Sequence, residues 1–308
     1  MELRDLLEEY YGRSVILIDL SWILYRSYYA FKDLTTQEGE QTGQWYGLVN
    51  TLRRLSDSYP HSLILLVDDG CPVERKELNE SYKGNREHGV HFEDKHNTVD
   101  VLIQPLPNVY RVYHPYLEAD DLLYSISRYK DYQNHFIIHT SDKDLLQAID
   151  STTTWANKID GGFLLEYNEQ SSYYKDNFQD LAPFQLPFYR AVLGDPSDNL
   201  SIIRPRFPSK VAYYFAKNCV KDTDGKMVSV VTLENVNKED LTDRQYECLS
   251  EIYSSEQFMN NLAIMRLMLV EEIPIIEKNK DIWDTNKLLD ELELNQYSKW
   301  LKGKGLME

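Results

Sequence analysis

Cysteine is scarce in this 308-residue chain: Cys71, Cys219 and Cys248 stand far apart, in neither a pairing nor a zinc-binding spacing. Such usage suits a reducing compartment and offers no disulfide framework. Long apolar runs are missing too, and none approaches the ~20 residues of a membrane-spanning helix. Met1-Glu2-Leu3-Arg4-Asp5 has no basic stretch followed by an apolar one, so no secretory signal is expected and the chain reads as cytoplasmic, with no membrane partner. There is no internal repeat, no low-complexity tract, no Gly-rich Walker loop and no His-Glu-x-x-His. The seven histidines form no spaced metal set, and His88, His91 and His96 fall in a polar stretch that reads as a solvated loop. Positive charge is the remaining shortage. Thirty-three Lys and Arg against 50 Asp and Glu leave −17, so the average surface repels polyanions. A nucleic-acid partner then requires a local basic track and carboxylates that hold cations.

What is present is an ordinary globular balance, 42% hydrophobic and 27% charged. The length allows one large domain or two modest ones at roughly 150 residues each. Apolar, β-branched runs recur in the first half: Val15–Ile18, Leu63–Val67, Val109–Val112 and Phe136–Ile138. Helical spacing lies between them, at Gly47–Tyr59 and Glu118–Tyr132. Continuous apolar strands alternating with helices predict a mainly parallel sheet flanked by helices, with ligands at the carboxyl ends of the strands. Acids stand at every such end. The first run meets Asp19, the second Asp68-Asp69, the third leads to Glu118-Ala119-Asp120-Asp121, and the fourth to Ser141-Asp142-Lys143-Asp144.

After about Asp180 the strand signal fades and helical patterns take over, at Phe184–Leu193, Ser209–Asn218, Asp243–Tyr253 and Gln257–Leu269. The expected organisation is therefore an α/β domain over 1–180 and a helical domain over 181–308, with residues 222–240 a loop or weak hairpin. The polar segment 74–105 is long for a connection, which marks it as functional or disordered.

The acidic clusters admit two readings. Glu118–Asp121 can cap a helix N-terminus, and Ser141 can cap a helix running to Ile149. Asp19 and Asp68 resist that explanation, because a carboxylate ending an apolar strand is costly unless a cation meets it. No matching arginines lie nearby in sequence, whereas hard divalent ions take all-oxygen ligands and serve phosphoryl chemistry in pairs. Tyr82-Lys83-Gly84-Asn85-Arg86 joins an aromatic to two cations, suited to a base and a phosphate. Arg204-Pro205-Arg206-Phe207-Pro208-Ser209-Lys210 precedes a helix start that can receive a phosphate or can simply be a rigid loop.

In order, Leu17–Arg26, Val67-Asp68-Asp69, Tyr82–Arg86, Glu118–Asp121, Thr140–Gln147 and Gly194-Asp195-Pro196-Ser197-Asp198-Asn199 resemble the 5′→3′ exonuclease and flap endonuclease family. The layout is most similar to the T-even phage enzyme called RNase H. The resemblance covers about residues 15–215 and implies a PIN-like nuclease fold with a helical arch over 74–105 and a smaller helical domain. It implies two Mg²⁺ ions, with Mn²⁺ able to substitute, held by Asp19, Asp68, Glu118, Asp120, Asp121, Asp142, Asp144, Asp195 and Asp198. Lys83 and Arg86 would meet the scissile phosphate beside Asp142, and Tyr25, Arg26 and Tyr82 would touch the nucleic acid. The implied reaction is hydrolysis at 5′ flaps, nicks or gaps of DNA and at RNA primers on DNA, leaving a 5′-phosphate. A replication role follows, in the host cytoplasm for a phage enzyme, as a monomer recruited by a single-strand DNA-binding protein or polymerase. A non-catalytic DNA-binding relative is the alternative. One departure stands out. The family's turn Gly-Ile-Gly-x-Lys-Thr-Ala is here Arg206-Phe207-Pro208-Ser209-Lys210-Val211-Ala212, without the glycines and with a proline that has no N–H. Arg204, Arg206 and Lys210 are expected to supply side-chain charge in place of backbone donors.

Overall fold

Four apolar runs become the central strands β1 (Ser14–Asp19), β2 (Leu63–Asp68), β3 (Val109–Tyr113) and β4 (His135–His139). Every residue of β2 is buried, as is β1 beyond Ser14, the pattern of strands covered on both faces. All their mutual pairings are parallel. This computed structural model describes residues 2–84, 90, 92, 94–221, 227–229, 241–278 and 282–307. Two further strands, β5 (Thr153–Asp160) and β6 (Phe163–Tyr167), extend the sheet beyond β4, and Ile275–Ile276 closes the other edge. The seven-stranded order is β6-β5-β4-β1-β2-β3 followed by Ile275–Ile276, antiparallel only at its two margins. The sheet is mixed and mostly parallel, flanked by helices, as the strand–helix alternation predicts. β5 escapes the apolar-run criterion because Thr153, Thr154, Asn157 and Lys158 dilute the signal, and β6 has only three consecutive apolar residues before Glu166.

Helices Leu20–Ala30, Gly43–Ser58 and Lys95–Ile103 bury one face of the sheet around Ile16, Ile18, Ile64 and Leu66. Helices Leu3–Glu9 and Ala119–Ile126 bury the other around Leu17, Leu65, Val67 and Ile138. Each such side chain contributes about 1.5–3 kcal/mol by leaving water, so these two layers hold the strand ends in place. Register then decides what emerges at the carboxyl edge. Asp19 pairs with Val67, Asp68 with Tyr113, and Ile18 with His139, so the acidic exits of β1 and β2 and the Thr140 step after β4 share one rim.

Helices Leu186–Leu193, Ser209–Lys217, Asp243–Ser254 and Glu256–Met265 form the expected helical layer, packed on the second face through Phe188, Phe215 and Phe258. The stretch after it packs elsewhere. Ile275–Ile276 joins β3, Thr285 bonds the Val101 carbonyl at 3.0 Å, and the Tyr297 hydroxyl donates to the Leu102 carbonyl at 3.2 Å. The last stretch therefore belongs to the α/β layer. Cys219–Lys221 pairs with Met227–Ser229 as a hairpin, and the remainder of 222–240 lies outside the described residues. The expected helix from Ser141 to Ile149 is instead a 3-10 turn, Asp144–Ala148, and the cap-like bond runs from the Asp144 N–H to the Asp142 carboxylate at 2.8 Å. Among the described residues no helix is long and apolar enough to cross a membrane.

Candidate active site

β1 ends in Asp19, which also caps helix Leu20–Ala30. Its carboxylate accepts the Trp22 N–H at 2.9 Å and the Thr140 hydroxyl at 2.9 Å, both neutral donors. β2 ends in Asp68, fully buried, and here cations arrive: Lys95 Nζ at 2.7 Å and His96 Nε2 at 3.0 Å. Burial alone would raise the Asp68 pKa, but the bonds from His96 and Lys95 bring it below the usual carboxylate range. Asp69, the next residue, accepts the Ala119 N–H at 2.9 Å, capping helix Ala119–Ile126. The capping reading of the acidic run is thus satisfied by Asp69, freeing Glu118 and Asp121 for other partners.

Those partners centre on Arg75. Its guanidinium bonds Glu118 at 2.6 Å and grips Asp121 with two bonds of 2.6 and 2.7 Å. Asp121 also accepts the Met268 N–H at 2.9 Å, so both of its oxygens are engaged within the protein. Lys83 Nζ pairs with Glu118 from the other side, and the Tyr82 hydroxyl donates to Glu118 at 3.2 Å. Burial would raise the Glu118 pKa, but Lys83 and Arg75 bring it below its ordinary value. Tyr82, expected to stack on a base, is buried in the core.

Across the cleft, Gly194 opens the loop carrying Asp195 and Asp198. Its φ of +72° suits glycine, and a Cβ there would lie 2.5 Å from the Ile202 nitrogen. Asp195 closes the loop through its backbone to Leu200 at 2.9 and 2.8 Å. The carboxylates of Asp144, Asp195 and Asp198 bring ligand atoms within 4.8 Å of one another. Arg190 pairs with both Asp144 and Asp195. Burial raises the Asp195 pKa, but Ser197 and Arg190 leave it below the usual range. The turn at Lys83 docks onto the same loop, with the Lys83 N–H donating to the Asp198 carbonyl at 3.1 Å and the Asn199 amide to the Ser81 carbonyl at 2.9 Å.

Asp120 and Asp19 are electrostatically different. Burial raises the Asp120 pKa well above the carboxylate range, the charges of Asp142, Asp19 and Asp69 add to that, and Lys83 opposes it. Burial and the Asp69 charge likewise raise Asp19 against the pull of its two hydrogen bonds. Carboxylates that repel one another in a poorly solvated cleft form an all-oxygen donor set that fits a hard divalent cation.

Of the expected nucleic-acid residues, Arg26 is exposed with its guanidinium 5.2 Å from the Trp22 ring centroid, and Tyr25 is partly exposed, its hydroxyl on the Val90 carbonyl at 3.1 Å. Arg206 and Lys210 are exposed. Arg204 is partly exposed, donating to Cys248 Sγ at 2.7 Å and pairing with Glu251 at the surface of the turn. Arg86 lies outside the described residues. Sequence reasoning missed Arg75, Lys95, His96 and Arg190 as partners of the acids. Lys95 is 27 residues from Asp68 and Arg75 is 43 from Glu118, which gives no local signal, whereas Arg190 stands five residues before Asp195 and was within reach of a local reading.

Residues 14–179 match the family described as 5′-3′ exonuclease, N-terminal resolvase-like domain. DNA polymerase I of Pseudomonas aeruginosa is 33% identical over 193 residues, covering 60% of this chain and 20% of that protein. The 5′-3′ exonuclease of Buchnera aphidicola subsp. Acyrthosiphon pisum is 27% identical over 215 residues, covering 66% of this chain and 70% of the relative. The chain thus spans about a fifth of the polymerase relative and most of the exonuclease relative. The bacteriophage T5 D15 flap endonuclease, solved with DNA and metal ions, shares the fold at a TM-score of 0.54 and 15% identity, covering 94% of this chain and 97% of the T5 chain.

Proposed function

We propose, from the premise that this chain belongs to the 5′-3′ exonuclease family, that it is a structure-specific 5′ nuclease acting with two divalent cations. Its substrates are 5′ ends and 5′ flaps of DNA and of RNA-primed DNA, and its role is primer removal in DNA replication, in a phage setting. The observation that carries this reading is the convergence of acids from every central strand exit with Asp195 and Asp198 of the helical layer on one cleft.

Asp19, Asp120 and Asp142, with Asp68 and Glu118 beside them, would hold one Mg²⁺; Asp144, Asp195 and Asp198 would hold the other. Bound Mg²⁺ supplies Lewis acidity to phosphoryl oxygens and lowers the pKa of water. The chain's own residues do the positioning. Thr140 and the Trp22 N–H fix Asp19, and the Trp155 indole N–H holds the Asp142 carbonyl at 3.0 Å. Lys83, poised on Glu118 at the cleft, presents its ammonium to the scissile phosphate, where a point charge offsets the developing negative charge. Tyr25 and Arg26 face the terminal nucleotides, and Arg206 and Lys210 meet the duplex backbone.

The test is a 5′-labelled nicked duplex bearing a flap, beside an RNA-primed duplex, incubated with Mg²⁺ or EDTA. Metal-dependent release of short 5′ products is expected. Tight, salt-sensitive binding without cleavage would instead favour a non-catalytic relative.

A further inference from the structure

The short helix Val73–Leu78 has a single buried side chain, and it is an arginine. Arg75 is 5% exposed, and all five of its N–H groups are engaged. Nη1 donates to Glu118 and Asp121 at 2.6 Å each, Nη2 to Asp121 at 2.7 Å and to the Arg266 carbonyl at 3.4 Å, and Nε to the Ile264 carbonyl at 2.9 Å. Two of these acceptors are carboxylates at the start of helix Ala119–Ile126, Glu118 just before it and Asp121 within it, and two are carbonyls at the exit of helix Glu256–Met265. Asp121 and Ser125 bind that exit further, at Met268 and Val270.

The charges balance in a telling way. Arg75 and Lys83 face Glu118 and Asp121, two cations against two acids. The pairs are unequal in character. The planar fork of Arg75 is locked by its five bonds, while Lys83 is a flexible point charge that also serves the substrate phosphate. When Lys83 turns to substrate, Arg75 is the remaining cation on Glu118.

We propose that Arg75 is the positioning residue of the reaction centre: it fixes the Glu118 carboxylate in the cleft and fastens that cleft to the helical layer. This rests on the reading of Glu118 as part of a nuclease centre. The unusual burial follows from the role. A purely structural strut could be apolar, since a hydrophobic replacement of a buried ion pair is commonly neutral or stabilising.

That difference supplies the test. Arg75→Met alone leaves Asp121 buried without its cation, and a large fall in Tm is expected. In Arg75→Met/Asp121→Asn the charge balance is restored, with Lys83 still facing Glu118. The expected Tm returns to within about 5 °C of wild type. Single-turnover cleavage of flap DNA stays about 10²-fold slow, and flap affinity in Ca²⁺ changes less than about threefold. Recovery of both Tm and cleavage in the double variant overturns the proposal and makes Arg75 a structural strut. Arg75→Lys keeps the charge without the fork, and covers the case in which the double variant does not fold. It should fold and cleave about tenfold slowly; wild-type cleavage there also overturns the proposal. Glu118→Gln separates the parent reading: unchanged cleavage in that variant removes Glu118 from the centre and the proposal with it, whereas slow cleavage in Glu118→Gln beside a fully active double variant overturns the role of Arg75 alone.

Discussion

The exits of β1 and β2 carry the same residue after nearly the same apolar strand, yet their electrostatics diverge. Asp68 is met by Lys95 and His96 and held below the usual carboxylate range. Asp19, one strand away, is held by a hydroxyl and an amide N–H while facing the charge of Asp69, and its pKa rises. The contrast extends along the rim. Glu118, Asp121, Asp144 and Asp195 are paired with protein cations, whereas Asp19 and Asp120 sit among like charges. A rim built only for stability would pair every acid. The repulsion left around Asp19 and Asp120 is the part that a divalent cation relieves.

The comparison breaks most severely if the repelling acids prove dispensable. Asp142→Asn, whose native carboxylate raises the pKa of Asp120, should lower flap turnover by about 10³-fold with unchanged circular dichroism. A next test uses His139, buried at the end of β4 with its ring on the Ala156 carbonyl at 2.9 Å. Burial pushes its pKa down to about 4, with the Arg26 charge adding and the Ala156 bond opposing. The folded state therefore resists the proton that the unfolded state accepts near pH 6.5, and stability must be lost as pH falls through that window. About 3 kcal/mol should disappear between pH 6.5 and 4, measured as the difference between wild type and His139→Phe in denaturant melts.

How much of this could be read in advance varies by residue. Asp19, Asp68, Glu118 and Asp142 stand out in the sequence because each ends an apolar strand or follows one at short range, and strand exits of parallel sheets gather on one edge; Asp195 follows a helix and has no such signal. Which acids are cation-paired is not legible for Glu118, Asp121 and Asp68, since Arg75 and Lys95 reach them through tertiary packing, whereas Arg190 and Asp195 are only five residues apart. Tyr82 looked like a stacking aromatic because nothing local tells a buried tyrosine from an exposed one. Asp121 looked like a ligand because it continues an acidic run, yet the helix turns it toward Arg75. The turn at 204–210 reads as three equivalent cations, and its sequence does not show that Arg204 alone bonds Cys248 and Glu251.

Smaller effects sharpen the contrast. Asp68→Asn should cost about 2 kcal/mol by leaving Lys95 and His96 without their acid. Asp19→Asn, measured without divalent ions, should stabilise by about 1 kcal/mol by removing a repelling charge. Opposite signs in thermal melts are the expected outcome, and equal signs would erase the distinction between the two exits. The weakest effects belong to the turn. Arg206→Ala and Lys210→Ala should each lower the salt dependence of flap binding by about one counterion, while Arg204→Ala should lower Tm and leave that slope unchanged.

The most direct test of the central claim is a thermal melt of the wild-type protein and of Asp19→Asn/Asp120→Asn, each with EDTA and with Ca²⁺. A ligand that binds only the folded state at about 100 times its Kd stabilises by about 2.7 kcal/mol per site, so the wild-type Tm should rise by several degrees in Ca²⁺ while the variant, which keeps Asp144, Asp195 and Asp198, rises by clearly less. An unchanged wild-type Tm, or an equal rise in both proteins, would contradict the account, because the repulsion at the rim would then have no cation to answer it.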